Sequence, residues 1–206
     1  MAIAYENLAT ASVSVGDYES AYASLEPMAK MFAELRRRSP DDFHADEDYL
    51  AALALIGRIG KFEEDGTSPG VEELHSKLER VGAQLRWTIE AGLISAAPST
   101  QESMAAARGR ENPPSPLAQA EALGYCLEGL SRSGDATASL ANDQLRESLT
   151  RDVIGRVTAF AASDDFDPAA AQAVFRNLSV SVRPEIRQML KFDEAPGKQD
   201  LRPQER

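Results

Sequence analysis

Apolar residues recur at three- and four-residue intervals along most of the chain, which is the period of amphipathic helices. Tyr18, Ala21, Tyr22 and Leu25 fall on one face of such a helix, and Met28, Met31, Phe32 and Leu35 prolong the stripe. Tyr49, Ala52, Leu53, Ile56 and Ile59 give a second buried face. Leu74, Leu78, Val81, Leu85 and Ile89 give a third, with Trp87 off the stripe. β-Branched runs of the kind that make buried strands are scarce. The one serious candidate, LSVSV at residues 178–182, sits at the end of a helical pattern. The pattern predicts an all-α chain.

Punctuation divides the helices. Residues 2–15 form the first, Gly16 ends it in a left-handed turn, and Asp17 caps the next. Pro27 predicts a kink or short break near Glu26, because an interior proline loses a hydrogen bond. Arg36, Arg37 and Arg38 complement the C-terminal dipole before Ser39 and Pro40 stop the helix. The acidic run DDFHADED leads into the Tyr49 helix, and Gly60-Lys61-Phe62 reads as a second corner like Gly16-Asp17-Tyr18. Residues 65–70 are a loop, and a long helix resumes near Val71.

The clearest compositional break is residues 96–116, rich in Pro and Gly. Beyond it the pattern predicts helices over residues 117–132, 136–149, 151–162 and 169–178, with a Ser133-Gly134-Asp135 corner after the first. Asp167 is placed as an N-cap with Pro168 at the first helical position. A short helix from Arg183-Pro184 to Leu190 comes last. The expected organisation is helical hairpins over residues 1–95, a linker over 96–116, degenerate hairpins over 117–191 and a disordered tail over 192–206.

Composition narrows the function classes. The chain of 206 residues is 43% apolar but only 6% aromatic, which suits helices packed through small side chains. Its net charge of −11 argues against nucleic-acid binding, which requires phosphate neutralisation. No stretch approaches the length of a membrane span, and no secretory leader pattern opens the chain, so a soluble cytoplasmic protein is expected. The lone Cys126 rules out an internal disulfide framework and reads as a small buried hydrophobe. His44 lies among carboxylates, but the run lacks the glycine and alternate ligand spacing of a calcium loop and the paired histidines of a zinc site. It reads as a solvated helix start. With no nucleophile elbow and no phosphate-cradling loop, no catalysis, metal or cofactor is expected.

Tyr5, Leu8-Ala9, Gly16-Asp17-Tyr18 and Ala21, followed by Tyr49, Ala52-Leu53 and Gly60-Lys61-Phe62, resemble the tetratricopeptide repeat family. The spacing of these copies exceeds the usual repeat of about 34 residues. It is similar to long-helix bacterial variants that run through an Arg-rich end into Pro-Asp. The match covers about 75 of the 206 residues and departs from the consensus at Pro27 and at the 66–70 loop. The resemblance implies stacked antiparallel helical hairpins in a short, irregular α-solenoid. It implies a non-catalytic module that binds a peptide or partner protein in a groove between hairpins, with Asn7, Thr10, Ser14, Ala54 and Arg58 as partner-binding positions. Self-association through an open end is a further expectation. The alternative is a regulatory or oligomerisation segment of a larger enzyme or transcription regulator, on a truncated chain.

Overall fold

Gly16 sets the first corner. The computed structural model describes residues 2–39, 43–76, 80, 83, 114–133, 140–163 and 167–177. In it, helix α1 (Ala2–Ser14) ends in a left-handed turn with Gly16 at φ 77°. The Asp17 amide donates to the Ser12 carbonyl (2.9 Å) and the Gly16 amide to that of Val13 (3.0 Å). This is the Schellman closure, which pairs two carbonyls a helix end otherwise leaves open and favours glycine at the left-handed position. Asp17 then caps α2 (Tyr18–Arg38), its carboxylate accepting from the Ser20 amide at 3.0 Å. That bond holds the Asp17 carboxyl below its ordinary value of 3.8.

Helix α2 runs through Pro27 without the expected break. Pro27 lies on the exposed face, where water can serve the carbonyl that its missing N–H leaves open. The buried stripe is Ala21, Leu25, Met28 and Ala29, with Phe32 partly covered. Met31 and Leu35, expected on that stripe, are 39% and 40% exposed.

Helix α3 (Phe43–Asp65) also runs past its expected end. Gly60, Lys61 and Phe62 are helical, so the predicted corner does not exist. The helix closes instead at Gly66 (φ 63°), where Thr67 donates to the Phe62 carbonyl (3.0 Å) and Gly66 to that of Glu63 (3.1 Å). Gly66 repeats the Schellman closure of Gly16. Gly60 serves another purpose, because a Cβ there would strike the Arg132 side chain.

Residues 71–76 are helical, as predicted for a helix beginning at Val71. The rest of that helix's apolar stripe, Trp87, the greater part of the 96–116 linker, the Gly134-Asp135 corner, the LSVSV segment, the short last helix and the tail lie outside the described residues. Helix α4 (Pro116–Arg132) starts on Ser115, whose hydroxyl accepts from the Ala118 amide at 3.2 Å, with Pro116 at the head of the helix. Helix α5 (Leu140–Ala161) is continuous where two helices, 136–149 and 151–162, were expected. No Gly or Pro separates Leu149 from Arg151, so nothing locally ends it. Helix α6 (Pro168–Asn177) begins as predicted, with Asp167 accepting from the Ala169 amide at 2.9 Å. Among the described residues the second half is thus one hairpin, α4–α5, with α6 returning onto α4, rather than two hairpins.

Every regular element among the described residues is α-helical. Helix α1 packs on α2, α2 on α3, α3 on α4 and α4 on α5, and among these the α3–α4 pairing is the most extensive. Cys126 meets the Leu50 carbonyl, Gly129 faces Leu53 and Arg132 covers Gly60, so position rises together in α3 and α4 and the two run parallel. Arg146 reaches Ser131 at one end while Phe160 packs on Leu117 at the other, so α4 and α5 are antiparallel.

Between residues 49 and 60, only Ala51 and Arg58 escape full burial. One side of α3 joins Ala9, Val13, Leu25 and Met28; the other joins Leu123, Leu127, Leu130, Leu149 and Val153. A helix apolar all round must be covered all round, and α3 is.

The α3–α4 seam is closed by backbone. A Cβ on Gly129 would overlap the Leu53 carbonyl, and one on Gly57 would overlap that of Tyr125. Gly129→Ala is expected to cost about 3 kcal/mol or more, because backbone rather than a flexible side chain must move. Gly155→Ala, with open space around its Cβ position on α5, should gain about 0.5–1 kcal/mol. Urea unfolding of the two variants checks the opposite signs.

Asp17→Ala should lower the thermal midpoint at neutral pH. Because the folded carboxyl lies below 3.8, the cap's contribution is present above that value and fades as pH falls through the folded pKa. The melting difference between wild type and variant should therefore close in acid.

Candidate functional site

The five positions implied by the family resemblance do not meet in one groove. Asn7 is exposed on α1. Ser14, half-buried near the end of the same helix, donates to the Ala11 carbonyl at 2.7 Å. Thr10 is 1% exposed and bonds back to the Glu6 carbonyl at 2.8 Å. Ala54 is 2% exposed in the core shared by α3, α4 and α5. Thr10 and Ala54 therefore present no surface to a partner, because the fold's own packing covers them.

Arg58 is already engaged. Its guanidinium stacks over Phe62 (4.7 Å to the ring centroid) and Tyr125 (5.0 Å), and donates to the Tyr125 hydroxyl. That hydroxyl in turn donates to Glu121 Oε1 at 3.1 Å. Burial raises the Tyr125 pKa, so the phenol stays protonated and keeps a hydrogen to donate. Stacking on two rings fixes the guanidinium plane. Arg58 joins α3 to α4, which is a packing role.

Arg132 is the more connected cation, and sequence reasoning did not single it out. It donates to Glu128 (2.7 Å), Glu63 (2.9 Å), Glu64 (2.9 Å) and the Tyr22 hydroxyl (3.2 Å). Tyr22 in turn donates to Glu63 at 2.9 Å, so α2, α3 and α4 converge on one guanidinium. Burial opposes its charge, but the bond to Glu128 and the surrounding negative groups outweigh that and raise its pKa. Its signal in the sequence was indirect: acidic Glu63, Glu64 and Asp65 close α3 where a basic end is usual.

The remaining chemistry is quiet. Cys126 is wholly buried, its thiol donating to the Leu50 carbonyl at 3.4 Å, and burial pushes its pKa up, away from a reactive thiolate. His44 pairs with Glu47 at 3.4 Å on the exposed start of α3. Among the described residues no three His, Cys, Asp or Glu side chains are grouped to hold a metal ion. Nor, among them, is any helix long and apolar enough to cross a membrane.

An unexpected feature lies on α1. Ala9 and Val13 are fully buried, while Ala4, Leu8, Ala11 and Val15 are all exposed, Leu8 by 56% and Val15 by 78%. At about 100° per residue Ala4, Leu8 and Ala11 form one stripe, opposite the buried face, and Val15, in the turn just past the end of α1, prolongs it. Asn7 and Ser14 border it. Leu8, one of the residues that carry the family resemblance, is exposed.

No family model, curated protein or solved structure matches the chain.

Arg132→Met should cost about 1–2 kcal/mol, between the worth of an exposed pair and a buried one, since the side chain is partly exposed. Arg132→Lys should recover only part, because an ammonium cannot fork among three carboxylates. Denaturant melts at low and high salt check both, and the deficit should shrink with salt.

Proposed function

We propose that this chain is a non-catalytic helical-hairpin interaction module of tetratricopeptide-like type, acting in the cytoplasm, that binds a peptide or partner protein through α1. The observation that carries this reading is the bare apolar stripe of Ala4, Leu8, Ala11 and Val15 on a helix whose other side is buried. Apolar side chains standing at helical intervals on one exposed face are what a partner helix or apolar peptide buries. Asn7, at the border, offers two donors and an acceptor to orient that partner.

Relative to the groove implied by the resemblance, the contact face moves. Thr10 and Ala54 drop out of it, Arg58 belongs to the α3–α4 seam, and Leu8 and Val15 enter. The Schellman hairpin of α1 and α2 supports the module reading, since it holds α1 against α2 with one face outward.

The test is affinity capture with crosslinking, using wild type, Asn7→Ala and Leu8→Asp. Leu8→Asp should reduce partner recovery by about tenfold or more, as expected for an apolar anchor, and Asn7→Ala by less. Both variants should keep the wild-type thermal midpoint, because both side chains are exposed. Undiminished capture by Leu8→Asp would place the contact elsewhere.

A further inference from the structure

Resting on that reading, we infer that the partner segment is a cationic amphipathic helix, laid along α1 with its apolar face on Leu8 and Val15. Two observations choose this occupant: the charge around the stripe and its size.

The charge is one-sided. No Lys or Arg precedes Lys30, while Asp17 and Glu19 do, and Glu6 lies half-buried on the other side of α1. Lys30 is spent on Glu26 at 2.6 Å. Asp17 and Glu19 are exposed at the corner that follows Val15 and Gly16, so the stripe ends beside negative charge. Beyond the turn, Tyr18 donates to the Thr67 carbonyl, which brings the end of α3 and the start of the 71–76 helix to the same corner. Glu72 stands exposed on the second of those segments, while Asp65 on the first pairs with Lys61 at 3.0 Å. An apolar seam with basic flanks is the complement of such a surface, and attraction between them also speeds encounter.

The size argues against a second copy. From Ala4 to Val15 the stripe spans about 16 Å at 1.5 Å per residue, and it is one helix wide, about 10 Å. Over the described side chains that is a few hundred Å², short of the roughly 800 Å² per partner of a standard stable interface. Two copies would also bring net charges of −11 together. A single helix docking on a short stripe, with electrostatics adding to apolar burial, needs neither a larger face nor a neutral chain.

Fluorescence anisotropy on the full chain tests this with three labelled helix-forming peptides. One carries a Leu/Ala face with Lys flanks, one the same face with Glu flanks, and one Lys flanks with Ser in the apolar positions. The first should bind, weaken about tenfold or more with Leu8→Asp, and weaken with added salt; the other two should not bind. Equal binding of the Lys and Glu peptides would overturn the cationic partner while leaving the α1 face in place. Binding of the first peptide that Leu8→Asp does not alter would overturn the face itself. If none of the peptides binds, the cationic helix is overturned. In that case a Leu8-dependent dimer in sedimentation would make the occupant a second copy, and Leu8-dependent capture of another protein would leave the interaction module standing with a different partner.

Discussion

The closest constraint in this molecule is the contact of two backbones, where Gly129 of α4 lies against the Leu53 carbonyl and Gly57 of α3 against that of Tyr125. Side chains cannot fill that seam because there is no room for a Cβ. The consequences spread outward. Helices this close must run almost without intervening side chains, and Ala54, next to Leu53, is small and buried. Larger groups are displaced to its two ends. Tyr49 packs at one end, against the Arg36 guanidinium (5.8 Å) and near Asn142 (3.4 Å). At the other end Arg132 crosses Gly60 to gather Glu63, Glu64 and Glu128. Because α3 is covered on one side by α1 and α2 and on the other by α4 and α5, whatever loosens the seam exposes both cores at once.

That seam explains which parts of the fold were legible in the sequence. Turn chemistry was legible where it acts locally. Gly16 followed by Asp17 is a left-handed residue followed by a carboxylate cap, and both act within a few residues of themselves. Asp167-Pro168 is the same kind of signal. Gly60 misled because glycine has two uses that look alike in a sequence. One is a backbone angle that other residues avoid, and the other is the absence of a side chain where another element approaches. The distinguishing signs were present. Lys61 and Phe62 supply no N-cap after Gly60, and Gly57 lies one turn earlier on the same face of an almost uncharged run. A pair of glycines three apart in such a run belongs to a close helix contact. Similarly, the expected division of α5 had no breaker to support it.

The site was less legible than the fold, for a different reason. Ala9 and Val13 face inward, but the number of faces a helix buries depends on its neighbours. On α3 the all-round apolar pattern means a central helix. On α1 a similarly apolar circumference leaves one side bare. Thr10 and Ala54 were placed by analogy to repeat positions, and each is withdrawn by packing that the local sequence does not encode. Arg132 depends on three helices meeting, so no single stretch announces it. The charge asymmetry before Lys30, in contrast, is plain in the sequence and gains meaning only once the bare stripe is located.

The energetics of α1 bear on how a partner there would act. A fully buried Leu- or Val-sized side chain contributes about 1.5–3 kcal/mol. Helix α4 buries Leu117, Leu123, Leu127, Leu130 and Tyr125, whereas among the described side chains α1 buries Val13, Ala9 and Thr10. It is the helix held by the smaller apolar contacts, with its Schellman turn and the partial cover of Tyr5 added. Covering Leu8 and Val15 would therefore do more than supply binding energy. A ligand that requires α1 to be docked stabilises the docked state by mass action, so occupancy of the outer stripe and integrity of the α1–α2 hairpin are thermodynamically linked. The affinity measured for such a partner includes the cost of keeping α1 in place. Substitutions on the buried face, at Ala9 or Val13, would weaken binding without touching the partner.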